Sequence, residues 1–341
     1  MENSKVTIHD IARELGIDSS TVSRALNNND RVKQETKDLV NAKAFELGYQ
    51  RNLHASNLRS NKTNTIGVIV PRISRHFFSS AIAGIEEAAY DAGYNVTISQ
   101  SLERLDREEK ILQSLSANRV DGVLISISME TKDNKYLQVF KKNGTPLVFF
   151  DRHIDIPGNS NVIIDDYQGG FDATEHLILQ GCTSIAHFAG PQELEIYKNR
   201  LKGYKAALEK HKIKVDSKLV ISSKLMEDDG IESAKKLLAL KIPVDGIFSA
   251  NDTAAISALQ YLKEQNIKIP QDIAVVGFSN EPVSSAIEPS LTTINQPGFE
   301  MGKIAMNLLL TQIKNKQEPL SPETIVLKPV LIKRNSSKRL E

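Results

Sequence analysis

Residues 6–27 read VTIHDIARELGIDSSTVSRALN and contain two short apolar patterns with helical spacing. The predicted buried positions of the two helices are Ile8, Ile11, Ala12 and Leu15, then Val22, Ala25 and Leu26. A third helical pattern follows, with Leu39, Val40, Ala44 and Leu47. Two short helices joined by a tight turn and braced by a third are typical of a helix-turn-helix domain, whose second helix enters the major groove of DNA.

Residues that cap helices mark the ends of these three segments. Thr7 and Asp10 have the spacing of a capping box, and Asp18 can cap the second helix. Gly16 and Gly48 stand where the first and third helices should end, because glycine readily adopts the left-handed conformation that closes a helix. The local sequence therefore predicts three separate short helices.

The outer face of the second predicted helix, residues 19–27, carries short hydroxyl side chains and Arg24. Short side chains let a helix approach base edges closely, and an arginine can donate two hydrogen bonds to one guanine. Contacts to phosphates would position the helix, and contacts to bases would specify the site. The alternative is an ordinary solvated helix face, and the helical pattern alone does not choose between the two.

The segment between residues 49 and 65 is rich in Asn, Arg, Ser and Lys, with Leu53, Ala55 and Leu58 at helical spacing. A helix this short is unstable alone in water. We predict a linker over residues 51–63 that contains one marginal helix, formed only when another surface packs against it.

The composition is that of an ordinary globular protein: 341 residues, 40% hydrophobic and 25% charged, with a formal net charge of +1. The first 62 residues hold ten Lys or Arg and eight Asp or Glu, a bias too weak to indicate nucleic acid by itself. No apolar run approaches the roughly 18 residues that span a bilayer, no signal-peptide pattern opens the chain, and Cys182 is the single cysteine. We expect a cytoplasmic, nucleoid-associated protein that does not bind membranes.

From Thr65 onward, short β-branched runs alternate with amphipathic helices, which is the pattern of a parallel α/β sheet. Strands are predicted at residues 65–70, 95–99, 122–126, 146–150, 184–189, 246–250 and 273–277. Helices are predicted at residues 77–92, 105–118, 168–180, 197–210, 231–240 and 253–265. About a dozen alternations of strand and helix indicate two doubly wound lobes rather than one.

The predicted fold class is therefore α/β, with a three-helix helix-turn-helix head and two doubly wound parallel-sheet lobes. The head is assigned to residues 1–50, the linker to 51–63 and the two-lobed core to 64–335. Within the core, the N-lobe is assigned to about 64–163 plus 295–325, and the C-lobe to about 164–294 plus 326–335.

Polar and aromatic residues follow three predicted strands at their carboxyl ends, where open α/β sheets bind ligands. They are Phe77 and Phe78, Asp151 and Arg152, and Asn251 and Asp252, with Arg200 near a helix start. Aromatic rings stack on the apolar faces of a sugar, while Asp, Asn and Arg hydrogen-bond its hydroxyls. The set predicts a sugar site, although each member also has an ordinary explanation as a core ring, a helix cap or a surface ion pair.

Two other classes of protein share parts of this pattern. A transport binding protein would have the two lobes but would need a signal peptide and would lack the helical head. A nucleotide-dependent enzyme would need a phosphate-binding loop, yet no G-x-G-x-x-G follows the first strand and no G-x-x-x-x-G-K-[ST], H-E-x-x-H or G-x-S-x-G occurs. We predict a regulator without catalytic residues, bound metal or cofactor.

Four stretches of the chain carry a family resemblance: VTIHDIARELG at 6–16, STVSRALN at 20–27, Glu35-Thr36 and Leu47-Gly48-Tyr49. They resemble the DNA-binding signature of the lactose-repressor (LacI/GalR) family, and the likeness extends over essentially the whole chain. The resemblance implies a transcription regulator, a repressor of carbohydrate-utilisation genes, whose operator affinity is controlled by a sugar effector. The alternative is a core that senses a phosphoprotein or a non-sugar metabolite.

The resemblance also assigns DNA-binding positions in the head. Base-reading positions are held by Ser19, Ser20 and Arg24, and backbone-contacting positions by Thr21, Ser23 and Asn27, with Thr7 also in the DNA-binding set. One recognition helix makes few base contacts, so such proteins bind near-palindromic operators as two-fold homodimers. The expected partners are double-stranded operator DNA, a second copy of the chain and the effector. The C-terminal tail has no leucine heptads, so no tetramer-forming helix is predicted.

The linker resembles the hinge helix of the family, in which a leucine wedges into the minor groove and kinks the DNA. The motif here is Ala55-Ser56-Asn57-Leu58 followed by Arg59, which makes Ala55, Leu58 and Arg59 candidate DNA contacts. Packing of Leu58 on the core is the alternative. Arg51 stands where the family usually has proline, and Ser56 where it usually has arginine. These departures put the rigidity of the hinge and some of its minor-groove contacts in question.

The core is similar to periplasmic pentose-binding proteins, and this similarity implies a set of ligand positions. They are Phe77, Phe78, Asp151, Arg152, Arg200, Asn251 and Gln296, with Ser279 where the usual motif has an aspartate. Losing that carboxylate removes a strong acceptor and a negative charge. With Arg152 and Arg200 nearby, we hypothesise a sugar acid or phosphosugar as readily as a neutral sugar. The alternative is that Asn280 or a water replaces the missing carboxylate.

Overall fold

The computed structural model describes residues 6–49, 62–133, 135–154, 156, 158–315 and 321–339. The chain divides into two compact units, Met1–Thr63 and Asn64–Glu341. The first unit contains the helical head, and the second contains the two sheets. The candidate hinge residues Ala55, Leu58 and Arg59 lie outside the described residues.

The head consists of helices α1 (Ile8–Leu15), α2 (Ser19–Leu26) and α3 (Gln34–Glu46), as predicted. Its small core is made by Ile11, Ala12, Val22, Ala25, Val40 and Ala44. The assignment of Leu39 to the core was wrong, because Leu39 is 54% exposed. It lies one residue, about 100° around the helix, from the inward-facing Val40, and so points to solvent.

The turn between α1 and α2 depends on local hydrogen bonds. Gly16 is left-handed, with φ of 61°, and the next N–H, that of Ile17, donates to the Ala12 carbonyl at 3.1 Å. The Asp10 carboxylate accepts the N–H and the hydroxyl of Thr7 at 2.9 and 2.7 Å, and these hydrogen bonds lower the pKa of Asp10. Asp18 holds the N-cap position of α2, but its side chain makes no capping hydrogen bond.

The second unit contains twelve strands among the described residues. In chain order they are β1 Thr65–Val70, β2 Asn95–Gln100, β3 Gly122–Ile125, β4 Leu147–Phe150, β5 Ser160–Ile164, β6 Ile185–Ala189, β7 Val220–Ser222, β8 Gly246–Ser249, β9 Ala274–Ser279, β10 Thr292–Asn295, β11 Thr324–Leu327 and β12 Val330–Ile332.

The helices of this unit lie between the strands. In chain order they are α4 His76–Asp91, α5 Leu105–Ala117, α6 Gln138–Lys142, α7 Asp166–Leu179, α8 Glu195–Lys210, α9 Glu227–Ala239, α10 Asp252–Glu264, α11 Val283–Ala286 and α12 Gly298–Lys314, with 3-10 turns at Lys135–Leu137 and Ser217–Leu219. None of the described helices has the length and apolar character needed to cross a membrane.

The strands form two six-stranded sheets, each of which defines a lobe. Lobe 1 has the order β11-β5-β4-β3-β1-β2 and is wholly parallel. Lobe 2 has the order β12-β10-β9-β8-β6-β7, in which only the edge pair β10 and β12 is antiparallel. The chain therefore crosses between the lobes three times: to lobe 2 after β5, back to lobe 1 after β10, and again to lobe 2 between β11 and β12. The predicted α/β fold class is confirmed.

The sequence pattern found seven strands, β1, β2, β3, β4, β6, β8 and β9, but not β5, β7, β10, β11 or β12. Most of these five strands are three or four residues long, and β11 and β12 are partly exposed at sheet edges. Such short segments lack the continuous apolar run that marks a strand covered on both faces. Helix α12 was also missed, and it packs under β3, β4 and β5 of lobe 1.

In each lobe, two helices cross in close contact through a pair of glycines. In lobe 1, Gly84 of α4 lies against the backbone of Phe299, and Gly302 of α12 lies against the backbone of Ala81. In lobe 2, Gly170 of α7 and Gly203 of α8 face the opposite helix in the same way. A Cβ atom at any of these positions would overlap a carbonyl oxygen, so the crossings require glycine.

Replacing Gly302 with alanine should lower the free energy of unfolding by about 1–3 kcal/mol, because the added methyl group forces α4 and α12 apart. The measurement is the urea midpoint of the core transition. Asn307→Ala is the matched control, since Asn307 is exposed on the same helix and should change stability by less than about 0.5 kcal/mol. An unchanged midpoint for Gly302→Ala would show that the helix contact is not close-packed.

Candidate functional site

The carboxyl ends of the strands in the two lobes border one cleft. All eight candidate effector residues line it: Phe77, Phe78, Asp151, Arg152, Arg200, Asn251, Ser279 and Gln296. Lobe 1 contributes the phenylalanines and the Asp151-Arg152 pair, and lobe 2 contributes most of the others. The structure thus brings together side chains that are up to about two hundred residues apart in the sequence.

Backbone geometry at the edge of the cleft is unusual. Asp151 follows β4, Ser279 ends β9 and Asn280 follows it, with φ values of 61°, 119° and 51°. Non-glycine residues rarely adopt positive φ, and they cluster at ligand sites, where the surrounding structure compensates the strain. These turns direct the Asp151 and Ser279 side chains into the cleft.

Arg200 of α8 is buried and is held on the lobe 2 side by three polar contacts. Its Nε and Nη2 lie 2.8 Å from Asp166 Oδ1, and its Nη1 donates to the Ala250 carbonyl at 2.6 Å. The guanidinium also stacks on the Phe278 ring, 3.6 Å from the ring centroid. Burial raises the pKa of the Asp166 carboxyl, an effect that the nearby Arg200 opposes.

Arg152 is the corresponding arginine on the lobe 1 side. Its Nη1 donates to both carboxylate oxygens of Glu103, at 3.1 and 2.9 Å. Asp151 Oδ2 accepts the Ser126 hydroxyl at 3.3 Å and lies 3.8 Å from Arg152 Nε. Burial raises the pKa of Asp151, although Arg152 and Arg200 act in the opposite direction.

The two arginines therefore do not provide uncompensated positive charge. Each is paired with a carboxylate that the sequence analysis did not single out, Glu103 for Arg152 and Asp166 for Arg200. The hypothesis of an anionic ligand rested on these two arginines together with the loss of a carboxylate at Ser279. The pairing of Arg152 and Arg200 removes the contribution of the arginines to that hypothesis.

The aromatic part of the cleft is formed by Phe77 and Phe78, at the start of α4. Their rings meet edge to face with centroids 5.1 Å apart, and both side chains are largely buried. Tyr197 of α8 adds a third ring on the lobe 2 side. All three rings thus line the cleft.

Several lobe 2 side chains are already engaged within the protein. Asn251 caps α10: its Oδ1 accepts the Ala254 N–H and its Nδ2 donates to the Leu225 carbonyl, both at 2.9 Å. The Ser279 hydroxyl donates to Gln296 Oε1 at 2.9 Å. These hydrogen bonds hold the candidate residues in place and reduce their capacity for a ligand.

Asn280 does not take the place of an aspartate at position 279. Its Nδ2 donates to Asn295 Oδ1 at 2.9 Å, and its Oδ1 accepts from Arg334 Nη2 at 2.7 Å. The side chain is thus used within lobe 2 and is not part of the cleft lining.

Sequence reasoning missed several residues of the cleft: Arg75, Ile196, Tyr197, Thr253 and Glu281. Arg75 and Glu281 also follow strands, β1 and β9, so the rule that found their neighbours could have found them. Asp166 was missed because it follows β5, a strand that the pattern did not reveal. Within the described ranges, no group of three or more His, Cys, Asp or Glu side chains could hold a metal ion.

The head carries the second candidate site, on the outer face of α2. Ser20, Arg24 and Asn27 are exposed, whereas Ser19, Thr21 and Ser23 are half-buried. Thr7 is exposed, and its hydroxyl is bonded to Asp10. The Arg24 side chain has no hydrogen-bond or ion-pair partner in the part of the chain that the structure describes.

Comparison with known proteins gives consistent results for both units. The family model described as "Bacterial regulatory proteins, lacI family" matches residues 7–52, and that of the "Periplasmic binding protein-like domain" matches residues 174–337. The chain is 32% identical over 337 residues to the HTH-type transcriptional regulator DegA of Bacillus subtilis (strain 168), covering 98% of this chain and 99% of that protein.

Two solved structures extend the likeness to three dimensions. The Lac repressor dimer bound to operator and the anti-inducer ONPF has a TM-score of 0.86 at 27% identity, covering 98% of this chain and 99% of that one. The transcriptional regulator CelR–cellobiose complex has a TM-score of 0.75 at 30% identity, covering 97% and 100%. The chain belongs to the LacI family of bacterial regulatory proteins, and it is a DNA-binding transcription regulator rather than an enzyme.

Proposed function

We propose that this protein represses carbohydrate-utilisation genes and that a sugar or sugar derivative in the cleft controls its affinity for operator DNA. The observation that carries the proposal is the convergence of all eight candidate effector residues on one cleft between two lobes. The cleft offers aromatic faces and charged hydrogen-bonding groups together, the combination that a sugar requires. The similar CelR structure contains cellobiose, which supports a sugar as the ligand class.

The head is proposed to bind a near-palindromic operator as part of a homodimer. In this proposal Ser19, Ser20 and Arg24 read bases, Thr21, Ser23 and Asn27 contact the backbone, and Thr7 belongs to the same DNA-binding set. The exposure of Ser20 and Arg24 supports their role. The similar Lac repressor structure is a dimer on its operator, which supports two-fold binding. Ala55, Leu58 and Arg59 are proposed minor-groove contacts of the hinge.

In this proposal the head, residues 1–50, binds DNA, the hinge, residues 51–63, contacts the minor groove, and the core, residues 64–335, binds the effector. Effector binding bridges the two lobes and favours one arrangement of them. Operator binding and effector binding then affect each other by the same factor, typically about 1–3 kcal/mol. The proposed effector is a neutral sugar, a sugar acid or a phosphosugar. Melting temperatures measured with each class of compound distinguish the three.

Arg24→Ala should weaken binding to the preferred operator by about 1–3 kcal/mol and relax the preference at one base position of each half-site. The operator is first selected from random DNA with the full-length protein, and affinities are measured at several salt concentrations. The loss should persist at every salt concentration, because a base contact releases few counterions.

Arg107→Ala is the matched control for Arg24→Ala, since Arg107 is an exposed arginine of the core. It should bind the operator like the unmodified protein. An equal loss of affinity on all DNA sequences for Arg24→Ala, with a reduced salt slope, would assign Arg24 to phosphate contact instead.

A sugar ligand should raise the melting temperature, because a compound that binds only the native state stabilises it by about 2.7 kcal/mol at one hundred times its Kd. The panel contains matched neutral sugars, sugar acids and phosphosugars, such as glucose, gluconate and glucose 6-phosphate. Asp151→Asn should reduce the shift caused by any binding compound, and the exposed variant Asp91→Asn should not. The absence of a shift with every compound would contradict a sugar-sensing core.

A further inference from the structure

Most polar atoms that line the cleft on the lobe 2 side are satisfied within the protein. Asp252 Oδ1 accepts the Thr293 hydroxyl at 2.6 Å, and its Oδ2 accepts the Glu281 N–H at 2.8 Å. Asn251 and Ser279 are engaged as described above, and Arg200 is held by Asp166. A ligand therefore finds few free acceptors among these groups.

Glu281 is the exception on this side. Its backbone is fixed by Asp252, while its half-buried side chain lines the cleft. Within the described part of the chain, the carboxylate has one hydrogen-bond partner, the backbone N–H of His76, at 3.4 Å. A charge-assisted hydrogen bond is normally shorter than 3 Å, so this one is weak. The Glu281 carboxylate is the lobe 2 acceptor with the most unused capacity.

Arg75 holds the corresponding position on the lobe 1 side, in the loop between β1 and α4. Its guanidinium reaches across the cleft to the Thr253 hydroxyl and to Met226 Sδ, the latter at 3.8 Å. Both partners are uncharged. No carboxylate of the described residues lies within 4 Å of it, in contrast to Arg152 and Arg200. A guanidinium has five N–H donors, so Arg75 retains donors for a ligand.

Charge in the cleft decides which class of ligand these two groups can bind. Burial raises the pKa of Asp151, Asp166 and Asp252, so these carboxyls do not count as full negative charges. Among the described residues no cationic group lies within 4 Å of the Glu281 carboxylate, so an anionic group placed beside it would meet uncompensated repulsion. Hydroxyl groups, which both donate and accept, suit a guanidinium with spare donors opposite a carboxylate with spare acceptor capacity.

We propose that Arg75 and Glu281 are specificity-determining residues that read the hydroxyls of an uncharged sugar from opposite sides of the cleft. Glu281 accepts hydrogen bonds from hydroxyls and so supplies the lobe 2 carboxylate that Ser279 does not provide. Arg75 donates to sugar oxygens, exchanging its contacts with Thr253 and Met226 for the ligand. The inference rests on the proposed sugar-sensing function of the same cleft and narrows it to one ligand class.

The test compares matched ligands and matched variants of the full-length protein by isothermal titration calorimetry. The ligands are ribose, ribonate and ribose 5-phosphate; glucose, gluconate and glucose 6-phosphate; and cellobiose with cellobionate. The variants are Glu281→Gln and Arg75→Gln, with Glu264→Gln and Arg107→Gln as controls that make the same charge changes at exposed positions.

An uncharged sugar should bind the unmodified protein more tightly than its acid or phosphate. Glu281→Gln and Arg75→Gln should each weaken that sugar by about 10- to 100-fold, the usual effect of losing a charged hydrogen bond. Glu281→Gln should also reduce the ratio of the affinity for the uncharged sugar to the affinity for its acid, because the variant lacks the negative charge that repels the acid. The two controls should stay within about twofold of the unmodified protein.

Three results would overturn the inference, and they are distinguishable. If an uncharged sugar binds and both variants retain its affinity within twofold, the residue assignment fails while the sugar-sensing function stands. If only sugar acids or phosphosugars bind, the ligand class fails. If no compound of the panel binds the unmodified protein, both the inference and the proposed function fail.

Folding of the variants is checked by their ligand-free melting temperatures and by operator binding without sugar. Both residues are only partly buried, so the substitutions should leave these values unchanged. Glu281→Asp provides a second test, because it keeps the negative charge but shortens the side chain. It should bind the uncharged sugar with an affinity between those of Glu281→Gln and the unmodified protein.

Discussion

The cleft depends on one buried cation, the guanidinium of Arg200. Moving a charge out of water costs several kcal/mol, so a buried arginine requires a carboxylate and further hydrogen-bond acceptors around it. Here Asp166 at the start of α7, the Ala250 carbonyl at the end of β8 and the Phe278 ring of β9 meet these requirements. Satisfying Arg200 thereby fixes where three elements of lobe 2 converge, and that convergence forms the wall of the cleft.

Hydrogen-bond satisfaction also decides which side chains can act on a ligand. Buried polar groups are costly when they lack partners, so folding pairs most of them with each other. In this cleft Asn251 and Asp252 have protein partners and serve largely to hold its shape, whereas Arg152 is paired with Glu103 through Nη1 but its buried Nε has no hydrogen-bond partner among the described residues. Specificity then falls to the few groups left with spare capacity, which face each other from the two lobes.

The two lobes reach similar architectures by the same packing device. Helices cross at glycine pairs in both, which lets backbones approach closely and brings the loops at their N-terminal ends to the cleft.

The head is stabilised in a different way. Its core contains six buried apolar side chains, and its surface keeps short hydroxyls and Arg24 available for contact. Local capping and one left-handed glycine are enough to specify such a small unit.

The sequence by itself determined the three helices of the head, the alternation of strands and helices, and six of the eight candidate residues that meet at one cleft; the other two, Ser279 and Gln296, came only from the family resemblance. These features follow from local rules: helical spacing, caps, and the convergence of parallel strands at their carboxyl ends. Only the tertiary structure decided the partners of the charges, because Arg152 meets Glu103 across 49 residues and Arg75 meets Thr253 across 178. It also decided that Leu39 is exposed and that Asn280 points away from the cleft. Whether a charged group is neutralised or available depends on neighbours that the fold brings to it from distant parts of the chain, and no local pattern contains that information.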